Sequence, residues 1–145
     1  MLVNRRKIQI EWGDCDPGGI VYFPRYYEYC DACTLALFAS VGLPKPQMLK
    51  KYGIAGIPMV EQHASFFEPA EHPDEIVIET KIAEWGRTSF QVHHKIFKSK
   101  SLLAEIHEKR VWVKRISGSR HQFKSHPIPA TVKSRFDARR RSRKS

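Results

Sequence analysis

Between Pro24 and Gly42 the chain carries one long helical repeat with apolar residues on almost every side, and four strand-like segments follow it. Tyr27, Cys30, Thr34, Leu37 and Val41 recur at helical spacing, Pro24 suits a first turn that needs no N–H, and Gly42 with Pro44 supplies the stop. Tyr26, Leu35, Ala36 and Phe38 fill other sides, so the helix is expected to be largely enclosed by protein, as in the grip of a sheet. Upstream, Ile8, Ile10 and Trp12 alternate with Lys7, Gln9 and Glu11 in a half-buried strand pattern. Downstream, a short helical turn is expected at 47–51, then strands at 59–67, 75–84, 88–98 and 102–116, rich in β-branched and aromatic residues. In the last of these, Ala104 and Ile106 share one parity and Val111 and Val113 the other, which predicts a bulge or register change near 107–110. A strand, a helix and then an antiparallel run make an α+β domain.

At 145 residues the chain fits one domain with one substantial core. It has no apolar run of bilayer length, and no apolar h-region follows Met1–Lys7, so a cytoplasmic protein without a membrane span is expected. Cys15, Cys30 and Cys33 give an odd count, and no second Cys or His pair completes a zinc site around Cys30 and Cys33. Three residues apart on a helix, those two share a face and are expected to pack. His93, His94 and His107 lack metal-ligand spacing in the sequence and are expected on a strand surface. The formal charge of +10 is concentrated in residues 131–145, where seven Lys or Arg residues stand against Asp137 alone. The domain is accordingly expected over residues 1–130, with 131–145 a flexible basic tail suited to an acidic partner. Lacking interleaved aromatics or a binding motif, the tail does not indicate nucleic-acid binding.

Between the first strand and the helix lies Trp12-Gly13-Asp14-Cys15-Asp16-Pro17-Gly18-Gly19-Ile20-Val21-Tyr22-Phe23-Pro24. Gly18 and Gly19 allow a tight turn and close approach of a ligand, and free N–H groups at a helix start can hold an oxygen that gains charge. An Asp at this place is a candidate base or nucleophile beside an oxyanion donor. Asp before Pro-Gly is equally ordinary turn chemistry, in which the carboxylate bonds nearby backbone. Asp14, two residues earlier, is expected to cap or anchor the loop.

The run from Gly13 to Val21, with Phe23-Pro24 and Tyr26, resembles the catalytic loop of the 4-hydroxybenzoyl-CoA thioesterase family, a branch of the hotdog-fold acyl-CoA thioesterases. Gly53-Ile54-Ala55-Gly56-Ile57-Pro58, Ala64-Ser65-Phe66, Ile78-Glu79-Thr80, and Glu84-Trp85 through Ser89-Phe90 resemble it in the same order. The resemblance runs from about Lys7 to Ile128. It implies a five-stranded antiparallel sheet wrapped around a central helix, and homodimers assembling into homotetramers with active sites between subunits. It also implies hydrolysis of an acyl-CoA thioester, with 4-hydroxybenzoyl-CoA or another aromatic acyl-CoA as substrate. CoA is then part of the substrate, and no metal or other cofactor is expected.

By the same resemblance Asp16 is the nucleophile or general base and the Phe23 backbone N–H the oxyanion donor. Gly19 belongs to the loop, Ile57, Pro58 and Met59 contact the pantetheine arm, and Arg87, Thr88 and Ser89 contact the nucleotide. A guanidinium at Arg87 suits phosphate oxygens, although Gly86 and Thr88 replace basic residues of the aromatic-specific branch. Glu61 and His63 alternate onto one strand face, where Glu61 departs from the family pattern and is a candidate lining residue of the acyl pocket. The competing class is a non-catalytic hotdog module that binds an acyl thioester or, through its basic tail, an acidic partner.

Overall fold

A computed structural model describes residues 2–137 of the chain. The elements are β1 Asn4–Gln9, α1 Pro24–Ser40, α2 Lys45–Tyr52, β2 Met59–Phe66, β3 Glu75–Trp85, β4 Ser89–Lys98, β5 Ser101–Val111, β6 Val113–Arg115, β7 Phe123–Ser125 and α3 Ala130–Lys133. Five strands form one antiparallel sheet in the order β1-β3-β4-β5-β2, with α1 packed on one face, so the expected α+β hotdog architecture is present.

Tyr26, Cys30, Cys33, Thr34, Leu37 and Phe38 are the buried stripe of α1. They pack against inward-facing Ile76, Ile78, Val92, Ile96, Ala104 and Ile106 from β3, β4 and β5. Most flanking residues of α1 are half-buried, and Glu28, Asp31, Ala32 and Ala39 lie exposed, so the sheet wraps the helix and leaves one side open. Both Cys30 and Cys33 are fully buried, as their shared face predicts. Burial pushes both thiols up, which disfavours thiolate chemistry there.

The first strand is shorter than its alternation suggests. β1 pairs with β3 from Asn4↔Thr80 to Gln9↔Glu75, where β3 begins, and past it one further bond runs from the Ile10 N–H to the Asp74 carbonyl at 2.9 Å. Trp12 instead opens a 3-10 turn, 71% exposed, and stacks on His72 with ring centroids 4.5 Å apart.

The expected change of parity at 107–110 does not occur in β5. Ala104, Ile106, Glu108 and Arg110 all face inward and are all buried; the two charged residues had disguised a continuous core face. The irregularity at this level belongs to β2, where register shifts between Met59↔Arg110 and Glu61↔Lys109 leave Val60 as the extra residue. The expected strand at 102–116 breaks at buried Trp112, whose N–H reaches the Thr88 carbonyl at 2.8 Å. Beyond it, β6 pairs with β7 as a separate hairpin.

The domain also packs beyond residue 130. Val132 is fully buried and Phe136 is 7% exposed, with the Phe136 ring 4.9 Å from Phe38 and 5.2 Å from Trp85. Lys133 Nζ donates to the Gly86 carbonyl at 2.9 Å, and Arg135 Nη1 to the Val41 carbonyl at 3.0 Å. The boundary drawn from charge alone is thus corrected to about Phe136, because the apolar residues of this segment close the core; the rest of the expected tail, 138–145, lies outside the described residues. Phe136→Ala is expected to cost about 3–5 kcal/mol in urea unfolding, as for a buried Phe elsewhere. A cost within error of zero would show that the segment does not belong to the core.

Candidate active site

The loop between β1 and α1 is zipped by its own backbone. Asp16 N–H donates to the Ile20 carbonyl at 2.9 Å, Tyr22 N–H to the Asp14 carbonyl at 2.8 Å, and Gly19 N–H to the Asp16 carbonyl at 2.9 Å. Gly19 closes this turn at φ +87°, a left-handed value that a side chain would strain. Val21 N–H, bonded to the Ala70 carbonyl at 2.9 Å, fastens the loop to the body.

Within this loop Asp16 Oδ1 accepts the Gly18 N–H at 2.8 Å. The turn chemistry considered from sequence is therefore present, and it orients the carboxylate. A Cβ on Gly18 would stand 3.0 Å from that oxygen and press it out of place. Asp14 anchors: its Oδ2 accepts the Glu11 N–H at 2.8 Å, and its Oδ1 lies 3.6 Å from Arg25 Nε. Gly19→Ala is expected to weaken folding by about 1–3 kcal/mol through backbone strain, and to lower kcat more than the unfolded fraction explains. Urea unfolding and initial rates on the same preparation would check this; unchanged kcat would show that loop geometry is not critical.

Two residues past the loop, Phe23 caps α1 and Pro24 begins it. The Tyr22 carbonyl accepts the Arg25 N–H at 2.8 Å and the Phe23 carbonyl the Tyr26 N–H at 3.1 Å. The Phe23 N–H has no hydrogen-bond partner among the described residues. A donor at a helix start, left open because the helix cannot use it, suits a developing negative charge. The Phe23 ring is 57% exposed and meets Tyr22 and Tyr27 edge-on. Beside it lies a cleft of about 310 Å³ whose lining includes Ile20, Phe23, Tyr26, Phe66 and Phe67.

Ile57, Pro58 and Met59 line another cleft, of about 370 Å³, together with Asp31, Lys45 and Arg110. At this cleft Arg110 donates from Nη2 to Asp31 Oδ1 at 2.8 Å, from Nη1 to the Ile57 carbonyl at 3.2 Å and from Nε to Glu108 Oε1 at 2.8 Å. Glu108 Oε1 also accepts the Thr34 hydroxyl at 3.0 Å. His94 Nε2 lies 2.9 Å from Glu108 Oε2, and its Nδ1 lies 2.8 Å from Thr80 Oγ1. His94 is fully buried, which corrects its expected surface position. Sequence reasoning missed this network, and its signal was the shared parity of Glu108 and Arg110 with Ala104 and Ile106.

Burial alone would raise the Glu108 carboxyl, but His94 and Arg110 outweigh it and hold the group below its ordinary 4.5. A carboxyl lowered in the folded state contributes stability that is complete above the ordinary value and is lost as pH falls through the lowered one. Urea unfolding followed from pH 7 toward pH 3 should therefore fall more steeply for the wild type than for Glu108→Gln. Parallel curves would contradict this coupling.

The remaining predicted residues stand apart. Glu61 and His63 share the outer face of β2, as alternation predicts, in an open groove of about 510 Å³ with Gln91, His107 and Lys109. Arg87, Thr88 and Ser89 form the turn from β3 into β4, where the Gly86 N–H donates to the Ser89 carbonyl at 2.7 Å. Arg87 is exposed and lines neither cleft. Within one chain, Asp16, Gly19 and Phe23 are brought together, whereas 57–59, Glu61 and 87–89 occupy three other places.

An Asp-bearing tight loop ahead of a helix gripped by a five-stranded sheet defines a class. The model of the Thioesterase-like superfamily matches residues 10–136, and the chain belongs to this family. The chain is 45% identical over 89 residues to a 4-hydroxybenzoyl-CoA thioesterase of Pseudomonas sp. (strain CBS-3), covering 61% of this chain and 63% of that relative. The solved 4-hydroxybenzoyl CoA thioesterase from Pseudomonas sp. strain CBS-3 superposes with a TM-score of 0.84 at 32% identity, over 92% of this chain and 98% of that one. A gentisyl-coenzyme A thioesterase superposes with a TM-score of 0.77 at 31% identity, again over 92% and 98%. The chain thus spans just under two thirds of the curated relative in sequence alignment and nearly all of the solved chains in structure.

Proposed function

We propose that this chain hydrolyses an aromatic acyl-CoA thioester to a carboxylate and free CoA. The observation that carries the reading is the Asp16 carboxylate, held by its own turn just ahead of an α1 start whose Phe23 N–H is open. The thioester oxygen accepts this N–H, and charge gathers on it as the carbonyl carbon is attacked. In one course Asp16 attacks, the C–S bond breaks, CoA leaves as a thiolate, and water cleaves the resulting mixed anhydride. In the other Asp16 takes a proton from water, whose oxygen attacks directly. Both consume one water and yield one carboxylate and one thiol, and neither needs a resident cofactor.

Aromatic acyl groups are favoured by the rings beside the site, with Tyr26 and Phe66 5.4 Å apart. Named activities of the relatives, on hydroxybenzoyl and gentisyl thioesters, support the same choice. The pantetheine arm is assigned to Ile57, Pro58 and Met59, the phosphates to Arg87, Thr88 and Ser89, and a place along the acyl pocket to Glu61.

These groups meet through a second copy of the chain. β2 is an edge strand of the sheet, with Val60 and Phe66 exposed. Antiparallel pairing of β2 with the same strand of another copy sets the Met59 end of one beside the Phe66 end of the other. It carries 57–59 of one copy toward the Asp16 loop of its partner, and two such dimers give the homotetramer.

Thiol release from a panel of aryl-CoA, short-chain and long-chain acyl-CoA thioesters tests the substrate class. An aromatic kcat/KM at least about tenfold above the aliphatic values is expected, equivalent to roughly 1.4 kcal/mol of transition-state discrimination. Aliphatic preference would replace the substrate, and binding without turnover on any thioester would favour the non-catalytic module.

A further inference from the structure

The sheet face turned away from α1 holds a cross-strand group that the hydrolysis does not use. His107 on β5 lies directly opposite His93 on β4, and Glu105 lies two residues before His107 on the same face. Sequence spacing hid this group because its members lie on two strands, and only the register of β4 on β5 brings them together. The His93 and His107 rings are stacked, with centroids 4.3 Å apart and an 8° angle between planes. His93 Nε2 is buried without a hydrogen-bond partner among the described residues and stands 3.9 Å from Glu105 Oε1. One ligand atom from each of the three residues can be chosen so that all lie within 4.8 Å of one another.

We propose that His93, His107 and Glu105 form a zinc site on the outer face of the sheet. Two imidazole nitrogens and one carboxylate oxygen are a donor set that Zn²⁺ accepts, with a fourth position left to water. Tetrahedral bonds of about 2.0–2.2 Å place ligand atoms roughly 3.4 Å apart, and since an imidazole nitrogen binds in its ring plane, the two rings must turn out of their parallel stack on a fixed pair of strands to close the set. The metal supplies the partner that His93 Nε2 lacks and ties β4 to β5. Lys95 opposite Glu105 and Lys81 opposite His93 place positive charge nearby, which limits affinity and favours a site whose occupancy follows the zinc supply. The His63 ring, next in the same row across β2, is 6.5 Å from that of His107 and stands outside the set.

The test is a zinc titration of the 145-residue chain against a chromophoric chelator, with bound metal counted at equilibrium with a zinc-buffered dialysate and Mg²⁺ as the hard-cation control. Wild type is expected to hold one zinc per chain, to ignore Mg²⁺, and to melt at higher temperature with zinc than without it. His93→Asn and His107→Asn should each weaken zinc binding by roughly tenfold or more, while His121→Asn leaves it unchanged. Glu105→Gln is the second probe should a histidine variant fail to fold, with a similar loss expected and circular dichroism reporting the fold. No stoichiometric zinc on the wild type, or undiminished binding in folded His107→Asn or Glu105→Gln, would overturn the proposal.

Discussion

Asp16→Asn is expected to lower kcat on an aromatic acyl-CoA by about 10³-fold or more, with the fold and substrate binding retained. The amide keeps the size of the carboxylate, and its carbonyl oxygen can still accept the Gly18 N–H, so the turn should survive. What it loses is the ability to attack the thioester or take a proton from water. A fall in kcat with little change in KM would place the loss in the chemical step. A fall confined to KM would make Asp16 a binding residue, and unchanged turnover would remove it from the site. Asp14→Asn, which disturbs the anchor to Glu11 and Arg25 and the Asp14 contact with Tyr29, should have a much smaller effect.

Arg110→Met is expected to destabilise the fold by about 3–5 kcal/mol, the size seen when one member of a buried ion pair is removed. Methionine fills much of the same volume but leaves Glu108, whose side chain is fully buried, without the guanidinium that faces it at 2.8 Å. It also frees Asp31, which Arg110 holds at the edge of the cleft lined by Ile57–Met59. Adding Glu108→Gln should recover part of the loss, since the uncompensated charge is then gone. Urea unfolding of the two single variants and the double variant measures the coupling, and a loss of less than about 1 kcal/mol for Arg110→Met would show that the network does not support the fold.

The sequence rendered best what obeys local rules. Pro24 and Gly42 bracketed α1, alternation marked β3 and β4, and the Asp16-Pro17-Gly18-Gly19 turn was visible as a turn. It misled where burial and polarity part company. His94 read as a surface residue, and Glu108 and Arg110 interrupted the apolar parity of β5, yet each is buried and paired with others from distant segments, a fact that no local pattern carries. Charge likewise hid the buried Val132 and Phe136 in what read as a solvated tail. Of the candidate site, the part within one loop was legible. In the proposed dimer the groups at 57–59, Glu61 and 87–89 join it through the pairing of chains, while the His93–His107 contact exists only through strand register.

Initial-rate thiol release from 4-hydroxybenzoyl-CoA by the purified 145-residue chain tests the central claim most directly. The expected result is saturable turnover with kcat/KM of about 10⁴ M⁻¹s⁻¹ or more, abolished in Asp16→Asn. No thiol release above the uncatalysed rate from a folded preparation that binds the thioester would contradict it.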